Sequence, residues 1–268
     1  MEKATLGGVQ LEYETHGSGE PVILIHGSVV ADSYALMMRK PALGRYQLVR
    51  YRRRGFGGST HPASAVSIGE QAADCLALMN YLKIPRAHVA GHSYGGVIAL
   101  QLALEHADAV HSLALLEPAL VGLIPNGAAF SQEMRPVMKQ YSEGDKPGAL
   151  GAFLGAVAGP DFRKIVDQVP GAYELALADA DNFFRVEMPA IGEWRFSRED
   201  AQRIRQPVLA LLGADSAPVF HEIHTLVQSW FAQAHPVAIA GVNHMLQMID
   251  PRAIAEALGN FFASCPMR

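Results

Sequence analysis

Ser93 stands in the run Val89-Ala90-Gly91-His92-Ser93-Tyr94-Gly95-Gly96, a Gly-x-Ser-x-Gly pattern between an apolar segment and a helix-forming stretch. A serine on so tight a strand-to-helix turn takes an unfavourable backbone conformation. Small residues two positions either side let the two arms pass closely. The hydroxyl is then pushed out at the carboxyl edge of a sheet, beside the free N–H groups of the next helix. A glycine-rich turn without chemistry is the bland alternative, and the flanking strand and helix weigh against it. The expectation is a nucleophile.

A serine hydroxyl attacks poorly at neutral pH and needs a base. Of eleven histidines, His244 is placed best. It lies in Ala240-Gly241-Val242-Asn243-His244-Met245, after the last expected strand, in a loop on the same sheet edge as Ser93. His106 and His111 flank a connection at the opposite edge, His221 and His224 sit on a helix, and His92 cannot easily turn back to its neighbour. A carboxylate must then fix the imidazole tautomer and stabilise the imidazolium. Two candidates end at the proper edge: Glu117, after the strand Val110–Leu116, and Asp215, after the strand Val208–Leu212. Both satisfy the chain order nucleophile, acid, histidine. An oxyanion needs N–H donors. Tyr94 at the helix start supplies one, and Ser28, in the loop after His26-Gly27, is expected to supply the other.

The elements that would position these groups follow from periodicity. An opening hairpin turns at Gly7-Gly8 into the alternating Val9–Glu14. Pro21–Ile25 is continuously apolar and reads as a central strand covered on both faces. A helix is expected over Ser33–Lys40, then a strand over Gln47–Tyr51 running into Arg52-Arg53-Arg54, read as a structural turn. Ser67-Ile68-Gly69-Glu70 resembles a capping box opening a helix through Leu82. After the Ser93 turn and its helix comes the strand Val110–Leu116. The stretch from about Ala119 to Gln206 is helical in character and rich in large apolar residues: Phe130, Met134, Met138, Phe153, Phe162, Phe183, Phe184, Trp194 and Phe196. Most of these are expected to pack within the segment and on the sheet. Strand pattern resumes at Pro207–Leu212, with a helix around His221–Trp230 and a strand at Pro236–Ile239. Asp250-Pro251 caps and starts the last helix. Strands alternating with helices imply an α/β fold with a mostly parallel sheet and helices on both faces. The expected organisation is a core of 1–118 and 207–268 with an inserted helical cap at 119–206.

Half of the 268 residues are apolar and 18% are charged, so a sizeable core is expected rather than disorder. A net charge of −4 argues against a nucleic-acid surface or a polybasic membrane anchor. Cys75 and Cys265 lie far apart, one on an apolar helix face and one in the tail, so a disulfide is not expected. With no signal-like start and no bilayer-length apolar run, a cytoplasmic location is the default. No Gly-x-Gly-x-x-Gly follows the first buried strand, and His221-x-x-His224 lacks clear partner ligands, so neither cofactor nor metal is expected.

His26-Gly27, Arg53-Arg54-Gly55-Phe56-Gly57-Gly58-Ser59, the turn around Ser93 and Asn243-His244 together resemble the α/β-hydrolase superfamily over nearly all of the chain outside the cap. The resemblance implies an eight-stranded sheet and a Ser-His-acid triad. This chain departs from the usual pattern at the acid. Many such hydrolases carry the carboxylate three residues after the glycine that closes the strand, which here is Ser216. Some relatives, zearalenone-type lactonases among them, place a glutamate directly after the strand that follows the elbow helix, as Glu117 stands here. An unpaired carboxylate at a buried strand end would also be costly. Glu117 is therefore favoured and Asp215 kept as the alternative. The leading expectation is a serine hydrolase for a small to medium apolar ester or lactone. Carbon–carbon hydrolysis or lyase chemistry on the same scaffold is the runner-up, and a non-catalytic ligand receptor the reading from another class. A dehalogenase or epoxide hydrolase would carry aspartate at position 93. The oligomeric state, monomer or homodimer, stays open.

Overall fold

In the computed structural model, which describes residues 1–267, the unbroken apolar run Val22–Ile25 lies in the middle of an eight-stranded sheet with every side chain buried. The strands are β1 (Glu2–Leu6), β2 (Val9–His16), β3 (Glu20–Ile25), β4 (Tyr46–Arg52), β5 (Ala87–His92), β6 (Val110–Leu116), β7 (Val208–Gly213) and β8 (Ala234–Ile239). Their order across the sheet is β1-β2-β4-β3-β5-β6-β7-β8. β1 and β2 pair antiparallel, β2 joins β4 antiparallel, and every other neighbouring pair is parallel.

Alternation along the central strands divides the core in two. Ile23 and Ile25, with Leu113, Leu115, Val208 and Ala210, share one core with buried residues of α1 (Ile68–Tyr81) and α2 (Tyr94–Glu105). Val22 and Leu24, with Leu116, Leu209 and Leu211, face the opposite core. The C-terminal helix supplies that side with Ile254, Leu258 and Phe262. Both faces are thus covered, as parallel strands require.

Between β6 and β7 no strand is found among the described residues. Instead come α3 (Gly127–Glu133), α4 (Arg135–Ser142), α5 (Lys146–Ala158), α6 (Phe162–Val166), α7 (Ala172–Ala178), α8 (Ala180–Asn182), a π-helical turn (Phe183–Glu187), α9 (Met188–Glu193) and α10 (Arg198–Arg203). After β7 follow α11 (Pro218–Trp230), α12 (Leu246–Ile249) and α13 (Pro251–Ser264).

Local signals act where expected. Ser67 and Glu70 complete a capping box on α1. Asp250 accepts from the Arg252 and Ala253 N–H groups, and Pro251 occupies the first turn of α13. The helix expected over Ser33–Lys40 is absent. That stretch is a chain of turns, with Ala35 N–H donating to Asp32 O and Met37 N–H to Tyr34 O. Asp32 is drawn to Arg50 and Arg52, and Pro41 forces Lys40 out of the helical region. α11 starts at Pro218, ahead of the expected His221, because the proline suits a first helical turn. β8 begins two residues early, at Ala234; as an edge strand it accommodates Pro236 without losing an inner ladder bond. Cys75 is buried and Cys265 partly so, and both are free thiols. Among the described residues no helix is long and apolar enough to cross a membrane.

Candidate active site

β5 delivers Ser93 to the carboxyl edge of the sheet with φ 52° and ψ −118°, a strained conformation for a residue with a Cβ. Two glycines make the turn possible. A Cβ on Gly95 would strike the carbonyls of Ile25 and His26, and one on Gly91 would strike the Gly95 backbone. The turn is anchored on both sides. Ser93 N–H donates to Leu116 O at 3.0 Å, and Ser93 O accepts from Gly96 and Ala119 N–H at 2.9 and 3.0 Å. Strain held by such a frame is found where function uses it.

His244 is buried in the loop after β8, and its Nδ1 lies 2.6 Å from Glu117 Oε2. Glu117 itself has φ 46° at the end of β6. Its other oxygen, Oε1, accepts from Gly213 N–H at 2.7 Å and Ser216 Oγ–H at 2.6 Å. The carboxylate is thereby satisfied on both sides although it is almost fully buried. With Nδ1 donating to this anion, Nε2 is left as the proton acceptor. Asp215, the alternative acid, is exposed, and its backbone N–H donates to Val242 O. The structure therefore brings Glu117, not Asp215, to the histidine.

Several supporting groups were not singled out from the sequence. Phe220, on α11, stacks on the His244 ring at 3.9 Å between centroids and 14° between planes. His92 Nε2–H donates to His244 O at 2.8 Å, and His92 Nδ1 accepts from Gln247 Nε2 at 3.1 Å. Burial, and then the nearby His244, hold His92 well below the usual imidazole range, so it stays neutral in this role. Ser216, three residues after the glycine that closes β7, donates to the glutamate. The sequence marked that position as lacking an acid. It could not say what the hydroxyl would touch.

The loop after β3 faces Ser93. His26 Nε2 accepts from Arg53 N–H at 3.0 Å, leaving Nδ1–H to donate to Gly27 O at 2.7 Å. Burial and the Arg53 charge keep His26 neutral. Arg53 is 1% exposed and donates to His26 O, Gly27 O and Gln71 Oε1. It also pairs with Glu187 Oε1 at 2.5 Å. The arginine-glycine turn thus buttresses the loop as expected, while Arg54 pairs with Asp74. The backbone N–H groups of Ser28 and Tyr94 donate to no acceptor among the described residues, and both residues border the cavity described next.

A cavity of about 310 Å³ lies over Ser93 and His244. Its wall is mostly apolar and comes from the helical segment after β6 and from Phe220. Phe130, Met134, Met138, Phe153 and Phe183 line it, while Phe162, Phe184, Trp194 and Phe196 do not. Five of the nine large apolar residues noted in the sequence therefore face the cavity, more than expected. Trp194 instead packs on Phe196 and donates to Gln101 Oε1. His221 is exposed and His224 half-buried, and among the described residues no cluster of His, Cys, Asp and Glu could hold a metal ion.

A family model described as alpha/beta hydrolase fold matches residues 20–251. Over 116 residues the chain is 33% identical to a putative carbamate hydrolase, RutD, of Azorhizobium caulinodans, a match covering 43% of this chain and 44% of that one. The match thus spans less than half the length of that curated relative. Among solved structures, a thermophilic esterase from Thermogutta terrifontis superposes with a TM-score of 0.83 at 18% identity, covering all of both chains. The enol-lactonase from Burkholderia xenovorans LB400 gives 0.79 at 20% identity, covering 98% of this chain and 100% of that one. At such identities the likeness is one of fold.

Proposed function

The chain belongs to the α/β-hydrolase fold family, and within it we propose a serine hydrolase that cleaves small to medium apolar carboxylic esters or lactones. The observation that carries this reading is the 2.6 Å pair of Glu117 and His244 beside the strained Ser93, at the floor of an apolar cavity. In this reading residues 1–118 and 207–268 form the catalytic core and 119–206 the cap that shapes the cavity. An esterase and a lactonase of the same fold lend the reading support.

In this reading the reaction is acyl transfer in two halves. His244 Nε2 takes the proton of Ser93 Oγ as the oxygen attacks the substrate carbonyl carbon. The carbonyl π electrons move onto oxygen, where the Ser28 and Tyr94 N–H groups stabilise the charge. Glu117 holds the ring tautomer and balances the imidazolium. Collapse of the tetrahedral species breaks the C–O bond to the alcohol, which leaves with the proton from His244 and gives an acyl-serine. Water, deprotonated by the same histidine, attacks that acyl group by the reverse sequence, releasing the acid and restoring Ser93. For a lactone the leaving alcohol stays tethered to the acyl chain. A cavity of about 310 Å³ sits at the small end of ligand sites, which favours short acyl or lactone groups.

The test is hydrolysis of p-nitrophenyl esters of increasing acyl length by wild type and Ser93→Ala. Short to medium chains are expected to turn over, with the optimum set by the cavity, and the alanine variant to lose turnover by about 10³-fold or more. Equal rates in the two proteins would reject the serine mechanism.

A further inference from the structure

Glu187 closes the π-helical turn and is 1% exposed, yet it borders the same cavity as Ser93. Its Oε1 is bound to Arg53, while Oε2 has no hydrogen-bond donor among the described residues and is shielded from solvent. A carboxylate oxygen removed from water and left without a donor is expensive. Phe183, Met188 and Ile191, which share the cavity lining with it, are apolar, and none of the polar lining groups donates to Oε2.

We propose that Glu187 is a specificity residue whose second carboxylate oxygen accepts a hydrogen bond from a hydroxyl or N–H group on the substrate. The inference rests on the hydrolase reading above and narrows its substrate to an ester or lactone carrying such a donor away from the scissile bond. Three features support it. A π-turn places one more residue per turn than an α-helix, which re-aims the side chains at its ends, and Phe183 and Glu187 at its two ends both reach the cavity. The Arg53 pair fixes the carboxylate through Oε1, and a carboxylate oxygen accepts rather than donates. The last torsion of a glutamate is broad, so the second oxygen of a residue that borders the cavity has freedom to meet a donor placed there. An oxygen of this kind also repels anionic groups and leaves an ether or a methyl group unrewarded.

The probes are p-nitrophenyl hexanoate, its 3-hydroxy and 6-hydroxy analogues, and their methyl ethers. Wild type should favour one hydroxylated ester over both its methyl ether and the plain ester by about tenfold or more in kcat/KM. In Glu187→Gln the amide oxygen can stay on Arg53 and turn its –NH2 to the cavity. The preference should then vanish or shift to the ether. A protein that only uses Glu187 to hold the helical segment would show equal ratios in wild type, and that result overturns the proposal. So does a wild-type preference that Glu187→Gln retains. Should the Gln variant fail to fold with Arg53 uncompensated, Glu187→Asp keeps the charge, withdraws the oxygen, and should weaken the preference. Binding of the matching p-nitroanilides to Ser93→Ala separates the two readings. No turnover of any ester defeats the hydrolase reading, whereas the binding ratio of hydroxy to methoxy ligand still judges Glu187.

Discussion

At Glu117 a single carboxylate meets three donors, His244 Nδ1–H, Gly213 N–H and Ser216 Oγ–H. A glutamine there would present an –NH2 to at least one of them and spoil the imidazole tautomer. Glu117→Gln is therefore expected to lower kcat by about 10³- to 10⁴-fold, the scale seen when a triad acid becomes an amide. Asp215→Asn alters an exposed side chain and should change kcat less than about threefold. Stopped-flow acylation rates for the two variants check the ranking, and the reverse order would relocate the acid. Residue type and chain position were enough to bring Ser93, His244 and two acids into view. Resemblance and the cost of burying an unpaired carboxylate favoured Glu117 with Asp215 as the alternative, and the register of β6 and β7 sets both strand ends beside each other. Phe220, Gln247 and Glu187 stayed silent in the sequence, since each acts through a partner elsewhere along the chain, and Ser216 stood out only as a missing acid.

Elements were legible where a local rule dominates. The Ser67 capping box, the Asp250-Pro251 start and the glycines around Ser93 each encode their own geometry. Turns 31–39 were not legible, because their shape follows Asp32 pairing with Arg50 and Arg52 and Tyr34 and Met37 burying against the second core. The elbow glycines give the clearest stability prediction at this scale. Ser67→Ala removes one cap and should cost about 1 kcal/mol. Gly95→Ala presses a methyl group into two carbonyls that belong to the neighbouring strand end, so it should cost several times more. Urea midpoints rank the two, and a Gly95→Ala midpoint at or above that of Ser67→Ala would contradict the tight approach of α2 to β3.

Over the whole molecule, the buried histidines set the response to acid. His26, His88 and His92 are all held neutral by burial, His88 down to about 4. Each binds a proton more readily in the unfolded chain, so their contribution is complete above about pH 6.5 and is lost as pH falls toward 4. Each proton taken up on unfolding adds a slope of about 1.4 kcal/mol per pH unit. Asp74 and Asp179, raised by burial, act in the opposite sense. Glu12, lowered despite burial by the Gly58 N–H and then Arg52, and Asp32, lowered despite burial by Arg52 and Arg50, add to the loss in stronger acid. The urea midpoint should therefore be clearly lower at pH 4.5 than at pH 7. An unchanged midpoint would mean that these rings are already charged in the fold.

The hydroxyl of Ser216 lies 2.6 Å from Glu117, so an aspartate at that position would bring a second carboxylate to the first. Two carboxylates so close could not both stay charged, and one would take up a proton. An acid introduced at position 216 would therefore replace a donor to Glu117 with a competing carboxyl, leaving the glutamate with only the Gly213 N–H and the imidazole. The hydroxyl is part of what lets a carboxylate sit uncontested at the end of β6.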